Sequence, residues 1–163
     1  MSHPLKLDPR PVIITFLFGP EPDSPPNIEI GDRACKLKDD LFKRSPVMAS
    51  QVYEGEVRVF YRAGHYEGEH QKKCLGTDEV MTKILAILER DGLNLNLCYF
   101  YILTHDDHDY AWWLFEKRKL KGEWVKCTSK YDPSSSQWRC RKRWRFLLWG
   151  IVVKAIYRMK KLI

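Results

Sequence analysis

The sequence predicts a single α+β domain spanning residues 1–163, with a mostly antiparallel sheet, a central helix at about 78–91 and a basic C-terminal helix at about 137–162. Three observations lead to this expectation. A chain of 163 residues, 44% of them hydrophobic, is long enough to bury one core. Several short segments alternate apolar and polar residues, as half-buried strands do. One segment instead repeats its apolar residues at the spacing of an amphipathic helix.

The first half of the chain contains two predicted strands and a proline-rich loop. Residues 11–18 are β-branched and aromatic and stop at a Gly-Pro pair, which favours a strand. Four prolines within residues 19–31 indicate an extended surface loop, and residues 34–44 then form a short helix. Residues 52–61 alternate and predict the second strand, whereas the polar residues 64–76 indicate a loop.

The central helix has the clearest signal in the chain. Thr77 is a suitable N-cap, and Gly92 stands where a helix C-cap belongs. Acidic residues open the first turn, where the helix dipole favours negative charge. The apolar stripe consists of Val80, Met81, Ile84, Leu85, Ile87 and Leu88.

Three further segments are interpreted as an antiparallel meander. Residues 93–103 alternate and predict a strand of about ten residues. The polar stretch 104–109 turns the chain into a second strand at 110–120, and a Lys-Gly turn leads into a third at 123–127. Because consecutive strands joined by short turns pair antiparallel, this meander is the main basis for the predicted sheet.

The C-terminal segment is interpreted as a helix with two faces, although residues 146–153 alone would also fit a strand. Helical spacing places one set of cations on a common face and most of the large apolar residues on another. The cationic face holds Arg143, Lys154, Arg158 and Lys161 together with Gly150, and the apolar face holds Trp144, Leu148, Ile151, Val152, Ala155, Met159 and Leu162.

Charge is distributed unevenly along the chain. Residues 117–163 contain 15 Lys and Arg against two acids, so this part carries +13, while residues 1–116 carry −6. All six tryptophans lie between Trp112 and Trp149. A basic, aromatic-rich segment favours a polyanionic partner such as an anionic membrane or a nucleic acid. The alternative is a core helix whose Arg stems extend outward to water.

The residues expected to bind the polyanion all lie near the C-terminus. The cations would neutralise phosphates, and the tryptophans would anchor at lipid headgroups or stack on bases. The cations are Arg139, Arg141, Lys142, Arg143, Arg145, Lys154, Arg158, Lys160 and Lys161, and the aromatics are Trp138, Trp144 and Trp149.

Other chemistries have little support in the sequence. The five cysteines are odd in number and lack C-x-x-C spacing, which indicates reduced thiols in an intracellular setting. His65, His70 and Cys74 carry zinc-type ligands, but their spacing matches no zinc finger, so a zinc-dependent interaction module through these residues is kept only as the third and weakest hypothesis. Residues 105–109 (His-Asp-Asp-His-Asp) are interpreted as a hairpin loop rather than an ion site. No nucleophile motif or phosphate loop is present, so we expect a non-enzyme without cofactor or small-molecule substrate.

Two stretches resemble the matrix proteins of non-segmented negative-strand RNA viruses, rhabdovirus matrix proteins above all. Residues 131–154, a Ser-containing loop followed by Arg-Phe-Leu-Leu-Trp-Gly-Ile-Val-Val-Lys, resemble their late helix. Residues 81–88, following a strand at 56–62, resemble their central helix. The lysine-rich tail and the Pro-Pro-x-Tyr motif of that family have no counterpart, since Pro25-Pro26 precedes Asn-Ile.

The resemblance implies a small basic structural protein that self-associates, coats the inner face of a membrane and condenses nucleoprotein, within the virion if the chain is viral. In that hypothesis the basic surface bridges anionic lipid to nucleoprotein or RNA. The acidic N-terminal part and the loop at 19–31 dock onto a neighbouring subunit in a homo-oligomer. The alternative is a nucleic-acid-binding regulator, such as a viral silencing or transcription modulator, that uses the same Trp- and Arg-rich segment without any need for lipid.

Overall fold

The protein folds into a mixed β-sheet with helices packed on both of its faces. A computed structural model describes residues 9–18, 23–53, 56–60, 66–70, 77–135 and 138–160; for residues 51–53, 56–60, 66–70, 138, 139 and 160 it describes the backbone alone. The strands are β1 (Arg10–Thr15), β2 (Val47–Tyr53), β3 (Glu56–Phe60), β4 (Tyr66–His70), β5 (Cys98–His105) and β6 (Gly122–Cys127). The helices are α1 (Pro25–Asp40), α2 (Thr77–Arg90), α3 (Asp109–Lys117) and α4 (Arg143–Lys160).

The centre of the sheet is parallel, so the prediction of a mostly antiparallel α+β sheet is wrong. The six strands lie in the order β4-β3-β2-β1-β5-β6. Strands β2, β1, β5 and β6 run parallel to one another, and β3 and β4 add to the β2 side as antiparallel strands. This four-stranded parallel core with its crossover helices is an α/β arrangement.

The helices cover both faces because the chain winds in opposite directions from β1. It passes through α1 to β2 on one side of β1, and later through α2 to β5 on the other. Right-handed crossovers in opposite directions place their helices on opposite faces. One core layer accordingly joins α2 and α3 to the sheet, and the other joins α1 and the start of α4 to it. Strand β1 is buried on both faces, which explains its unbroken apolar sequence.

The prediction of an antiparallel meander is wrong at its second segment. Residues 110–120 were expected to be a strand, but Asp109–Lys117 form α3, whose buried residues Tyr110, Ala111, Leu114 and Phe115 follow helical spacing. A helix between β5 and β6 carries the chain back across the sheet, so β6 pairs parallel to β5. The misassigned helix therefore explains the wrong direction of β6, while the crossovers through α1 and α2 make β2, β1 and β5 parallel.

The proline-rich loop is also shorter than expected. Residues 25–31, placed in the loop at 19–31, are the first two turns of α1. Pro25 and Pro26 occupy the first two helical positions, where a missing N–H costs no intrahelical hydrogen bond. The helix thus begins nine residues before the predicted start at Ala34.

Several local predictions are confirmed and two segments need correction. Strand β1, helix α2 with its buried stripe, and the positive φ of 85° at Gly92 all agree with the sequence pattern. The strand predicted at 52–61 is instead divided between β2 and β3, and β4 lies within the polar segment expected to be a loop. The C-terminal helix is confirmed, although α4 begins at Arg143, after a 3₁₀ turn at Trp138–Arg141.

Candidate interaction site

Helix α4 presents an apolar surface to solvent. The sequence analysis assigned most of these residues to one face, and that face points away from the sheet instead of packing on it. Ile151 is 66% exposed, and Trp144 and Met159 are each 57% exposed. The outward face consists of Trp144, Leu147, Leu148, Trp149, Ile151, Val152, Ile156 and Met159. Soluble domains rarely expose an apolar patch of this extent unless it binds something.

Cations surround this outward face. Arg141, Lys142 and Arg143 are exposed at the start of the helix, and Arg158 is exposed in its last turns. Arg145 and Lys154 are half-buried, and the guanidinium of Arg145 lies 5.3 Å from the ring centre of Trp144. The helix therefore combines exposed apolar side chains with positive charge, the composition of a helix that lies in a membrane interface.

The first turn of α4 is anchored to the sheet by a buried aromatic ring, and Val153 and Tyr157 pack on the core farther along the helix. Phe146 is 7% exposed and packs against Phe18, whose ring centre is 4.4 Å away. His108 and Tyr131 complete the pocket around Phe146, at 5.5 and 6.3 Å between ring centres. Phe18, His108 and Tyr131 follow β1, β5 and β6, so Phe146 occupies the carboxyl end of the parallel sheet.

Two ion pairs hold α4 to the loop after β5 and to the first residue of α3. Arg143 Nε lies 3.0 Å from one carboxylate oxygen of Asp107 and 3.1 Å from the other. Lys154 Nζ lies 2.6 Å from Asp109 Oδ2. The hydrogen bond to Asp107, together with its charge, raises the pKa of Arg143 above its ordinary value. Both acids belong to the segment 105–109, which is a strand-to-helix loop and not the predicted hairpin.

The carboxyl end of β5 also contains a group of potential metal ligands. Among the described residues, His105, Asp106 and Asp107 bring one ligand atom each within 4.8 Å of one another. Both ring nitrogens of His105 are used within the protein: the Asp107 N–H donates to Nδ1, and Nε2 donates to the Ser129 carbonyl. Asp107 accepts from the Tyr131 hydroxyl and pairs with Arg143. These contacts leave few ligand positions open, so we assign no metal here.

Sequence reasoning missed the pairing of Cys127 with His105. The two residues are register partners on neighbouring parallel strands, at the edge where open α/β sheets bind ligands. Cys127 is fully buried, and burial raises the pKa of its thiol to about 11. A thiol in this state is not an activated nucleophile near neutral pH. Only the parallel register brings these residues together, since 22 positions separate them in the chain.

For the remaining residues proposed from the sequence, either the side chain or the whole residue is outside the described part of the structure. Arg139, Trp138 and Lys160 have a described backbone but no described side chain, and Lys161 lies outside the described residues. The zinc-type ligands His65 and Cys74 also lie outside them. His70 belongs to β4, for which only the backbone is described.

None of the helices in the described part of the chain is long and apolar enough to cross a membrane. No family model, curated protein or solved structure matches this chain.

Proposed function

We propose that this protein is a non-enzymatic peripheral protein that binds anionic membranes through α4. The observation that carries the proposal is the outward apolar face of α4, with Trp144, Ile151 and Met159 all more than half exposed. Such side chains gain roughly 1.5–3 kcal/mol each when they are fully removed from water. Insertion into the headgroup region would bury them without unfolding the domain.

The charge around α4 favours an anionic lipid surface over a neutral one. Arg141, Lys142, Arg143 and Arg158 are exposed beside the apolar face. Each cation near an anionic leaflet contributes about 1 kcal/mol, and tryptophan favours the headgroup level. A helix with this combination lies in the plane of the interface.

Nucleic acid explains the cations but not the aliphatic residues. Phosphate contacts require Lys and Arg, and stacking on bases requires aromatic rings. Leu148, Ile151 and Val152 provide neither, yet they form the middle of the outward face. An anionic membrane accommodates all three classes of side chain, the cations and tryptophans at its headgroups and the aliphatic residues at the boundary with its chains, so we place the membrane first and nucleic acid second.

Self-association and the bridging of a membrane to nucleoprotein, as in viral matrix proteins, stay predictions that extend this proposal. A homo-oligomer would add avidity, because each copy brings its own α4 to the same surface. The nucleic-acid-binding regulator is retained as the outcome that the same experiment would reveal.

The test is flotation with neutral and with anionic vesicles, each with and without competing RNA. We expect co-flotation with anionic vesicles alone, resistant to RNA. Ile151→Glu should weaken binding at least tenfold, since it removes an inserted side chain and adds a repelled charge. Leu97→Glu is the matched control, because Leu97 is 62% exposed and lies outside α4.

Two results would overturn the proposal. Equal flotation of Ile151→Glu and Leu97→Glu would show that the outward face of α4 does not insert. Loss of flotation on adding modest RNA would favour the nucleic-acid-binding regulator instead.

A further inference from the structure

Two cations of α4, the helix that we assign to the membrane, each pair with a carboxylate of the segment that leads from β5 into α3. We propose that Asp107 and Asp109 act as a latch, competing with lipid phosphate groups for Arg143 and Lys154. Anionic membranes would then exchange these internal ion pairs for lipid contacts and loosen the start of α4 from the sheet. This inference rests on the proposed membrane binding and adds its regulation.

The two cations are spaced to act together. Arg143 and Lys154 are 11 residues apart, about three helical turns, so they project from the same side of α4. That side borders the outward apolar face: Leu147 follows Arg143 by one turn, and Ile151 precedes Lys154 by three residues. A membrane contacted by Leu147 and Ile151 therefore reaches both cations.

The two ion pairs differ in strength because their carboxylates differ in burial. The Asp107 side chain is only 7% exposed, and it accepts one hydrogen bond from Tyr131 besides its pair with Arg143. Loss of Arg143 would leave a nearly buried carboxylate with one neutral donor, which is costly. Asp109 is half exposed, so water replaces Lys154 easily. We expect Asp107 to be the stronger half of the latch.

A lipid phosphate offers the same cations a similar partner at the surface. Arg143 is itself 68% exposed, so a headgroup reaches its guanidinium without displacing α4 first. Each cation can pair fully with its carboxylate or with a lipid phosphate, but not with both. The internal ion pair must therefore weaken lipid binding by the same factor by which lipid weakens the ion pair. Removing a latch carboxylate should therefore strengthen membrane binding, although it removes a contact within the protein.

The experiment compares Asp107→Asn and Asp109→Asn with Asp106→Asn in the 163-residue chain. Asp106 is the residue before Asp107 and carries the same charge, but its carboxylate lies 3.1 Å from His105 Nδ1 and acts on Arg143 only through its charge, with no ion-pair contact. Asparagine at position 107 can still accept from Tyr131. We expect Asp107→Asn to bind phosphatidylserine vesicles about fivefold more tightly than Asp106→Asn, the gain for one freed cation, and Asp109→Asn to show a smaller gain in the same direction.

A second measurement without lipid tests the latch directly. Hydrogen exchange of the amides in the first two turns of α4 should be up to about fivefold faster in Asp107→Asn than in Asp106→Asn. Equal vesicle affinities for the three variants would overturn the latch, because net charge alone would then set binding. Failure of the wild-type protein to bind anionic vesicles would instead refute the membrane function and the latch with it.

Discussion

A carboxylate in α1 fastens the segment after β6, and its removal gives a prediction with a magnitude and a pH dependence. Glu29 Oε2 accepts hydrogen bonds from the backbone N–H groups of Thr128 and Ser129, at 2.9 and 2.7 Å, and from the Ser129 hydroxyl. Its other oxygen accepts from Arg33 Nε at 2.8 Å. These contacts join parts of the chain that are 100 residues apart.

We expect Glu29→Ala to lower the free energy of unfolding by about 2–3 kcal/mol. A hydrogen bond to a charged group contributes about 1.5–3 kcal/mol, and these bonds share one carboxylate, so their energies do not add. Water replaces the bond to the exposed Thr128, whereas the Ser129 N–H is half-buried and loses its partner. Ser129→Ala should cost only about 1 kcal/mol, because it keeps that N–H.

The pH dependence of this loss has a definite sign. Burial alone would raise the pKa of Glu29, but the hydrogen bonds from Ser129 and the pairing with Arg33 outweigh it and lower the pKa below 4.5. A carboxylate with a lowered pKa in the folded state stabilises the protein above its unfolded pKa. That stability is lost as the pH falls through the folded value. The difference between wild type and Glu29→Ala should therefore be complete at pH 7 and shrink below about pH 4.5.

Urea denaturation across a pH series measures this difference directly. The same loss at pH 7 and at pH 3 would refute the assignment, because it would mean that ionisation of Glu29 contributes nothing. So would Glu29→Gln with the stability of wild type at pH 7, since glutamine keeps an oxygen acceptor and loses only the charge.

Three further predictions test packing and burial. Leu88→Ala should cost about 2–5 kcal/mol in urea denaturation, because the side chain is fully buried in α2. Gly122→Ala should destabilise the protein by roughly 1–3 kcal/mol, since the added Cβ would lie 2.3 Å from a β5 carbonyl oxygen. Gly150→Ala should instead stabilise α4 by about 0.5–1 kcal/mol, because nothing lies near the added Cβ. A lower urea midpoint for Gly150→Ala than for Gly122→Ala would contradict both. Iodoacetamide should label the exposed Cys35 in the folded protein and Cys127 only on unfolding, and early labelling of Cys127 by mass spectrometry would refute its burial.

The accuracy of the sequence analysis depended on how local each signal was. Helix α2 was predicted closely, because its apolar stripe and the αL glycine at Gly92 are properties of neighbouring residues. Helix α3 was assigned to a strand because a short segment rich in aromatic residues fits either structure. That error reversed the direction of β6. The other two parallel pairs, β1–β2 and β1–β5, were missed because the crossovers through α1 and α2 were not recognised as connections between parallel strands.

The candidate site divides in the same way. The sequence alone predicted the basic cluster around Arg141–Arg143 and the apolar face of α4, since charge and helical spacing can be read along the chain. It proposed Trp144 and Trp149 as surface anchors, but it did not predict that the aliphatic residues of this face also point outward while Phe146 packs on the sheet. No residue near Phe146 in the sequence indicates that its ring packs against Phe18.

Composition and periodicity therefore determined the basic, aromatic C-terminal helix, the central helix and the first strand. The tertiary structure alone decided the parallel order of the strands and the meeting of His105, Asp107 and Phe146 at their carboxyl ends. The reason is physical: propensity acts between residues within a few turns, whereas strand direction and burial depend on which distant segments cover each face. The Glu29 contact with Ser129, across 100 residues, is an example that no local pattern encodes.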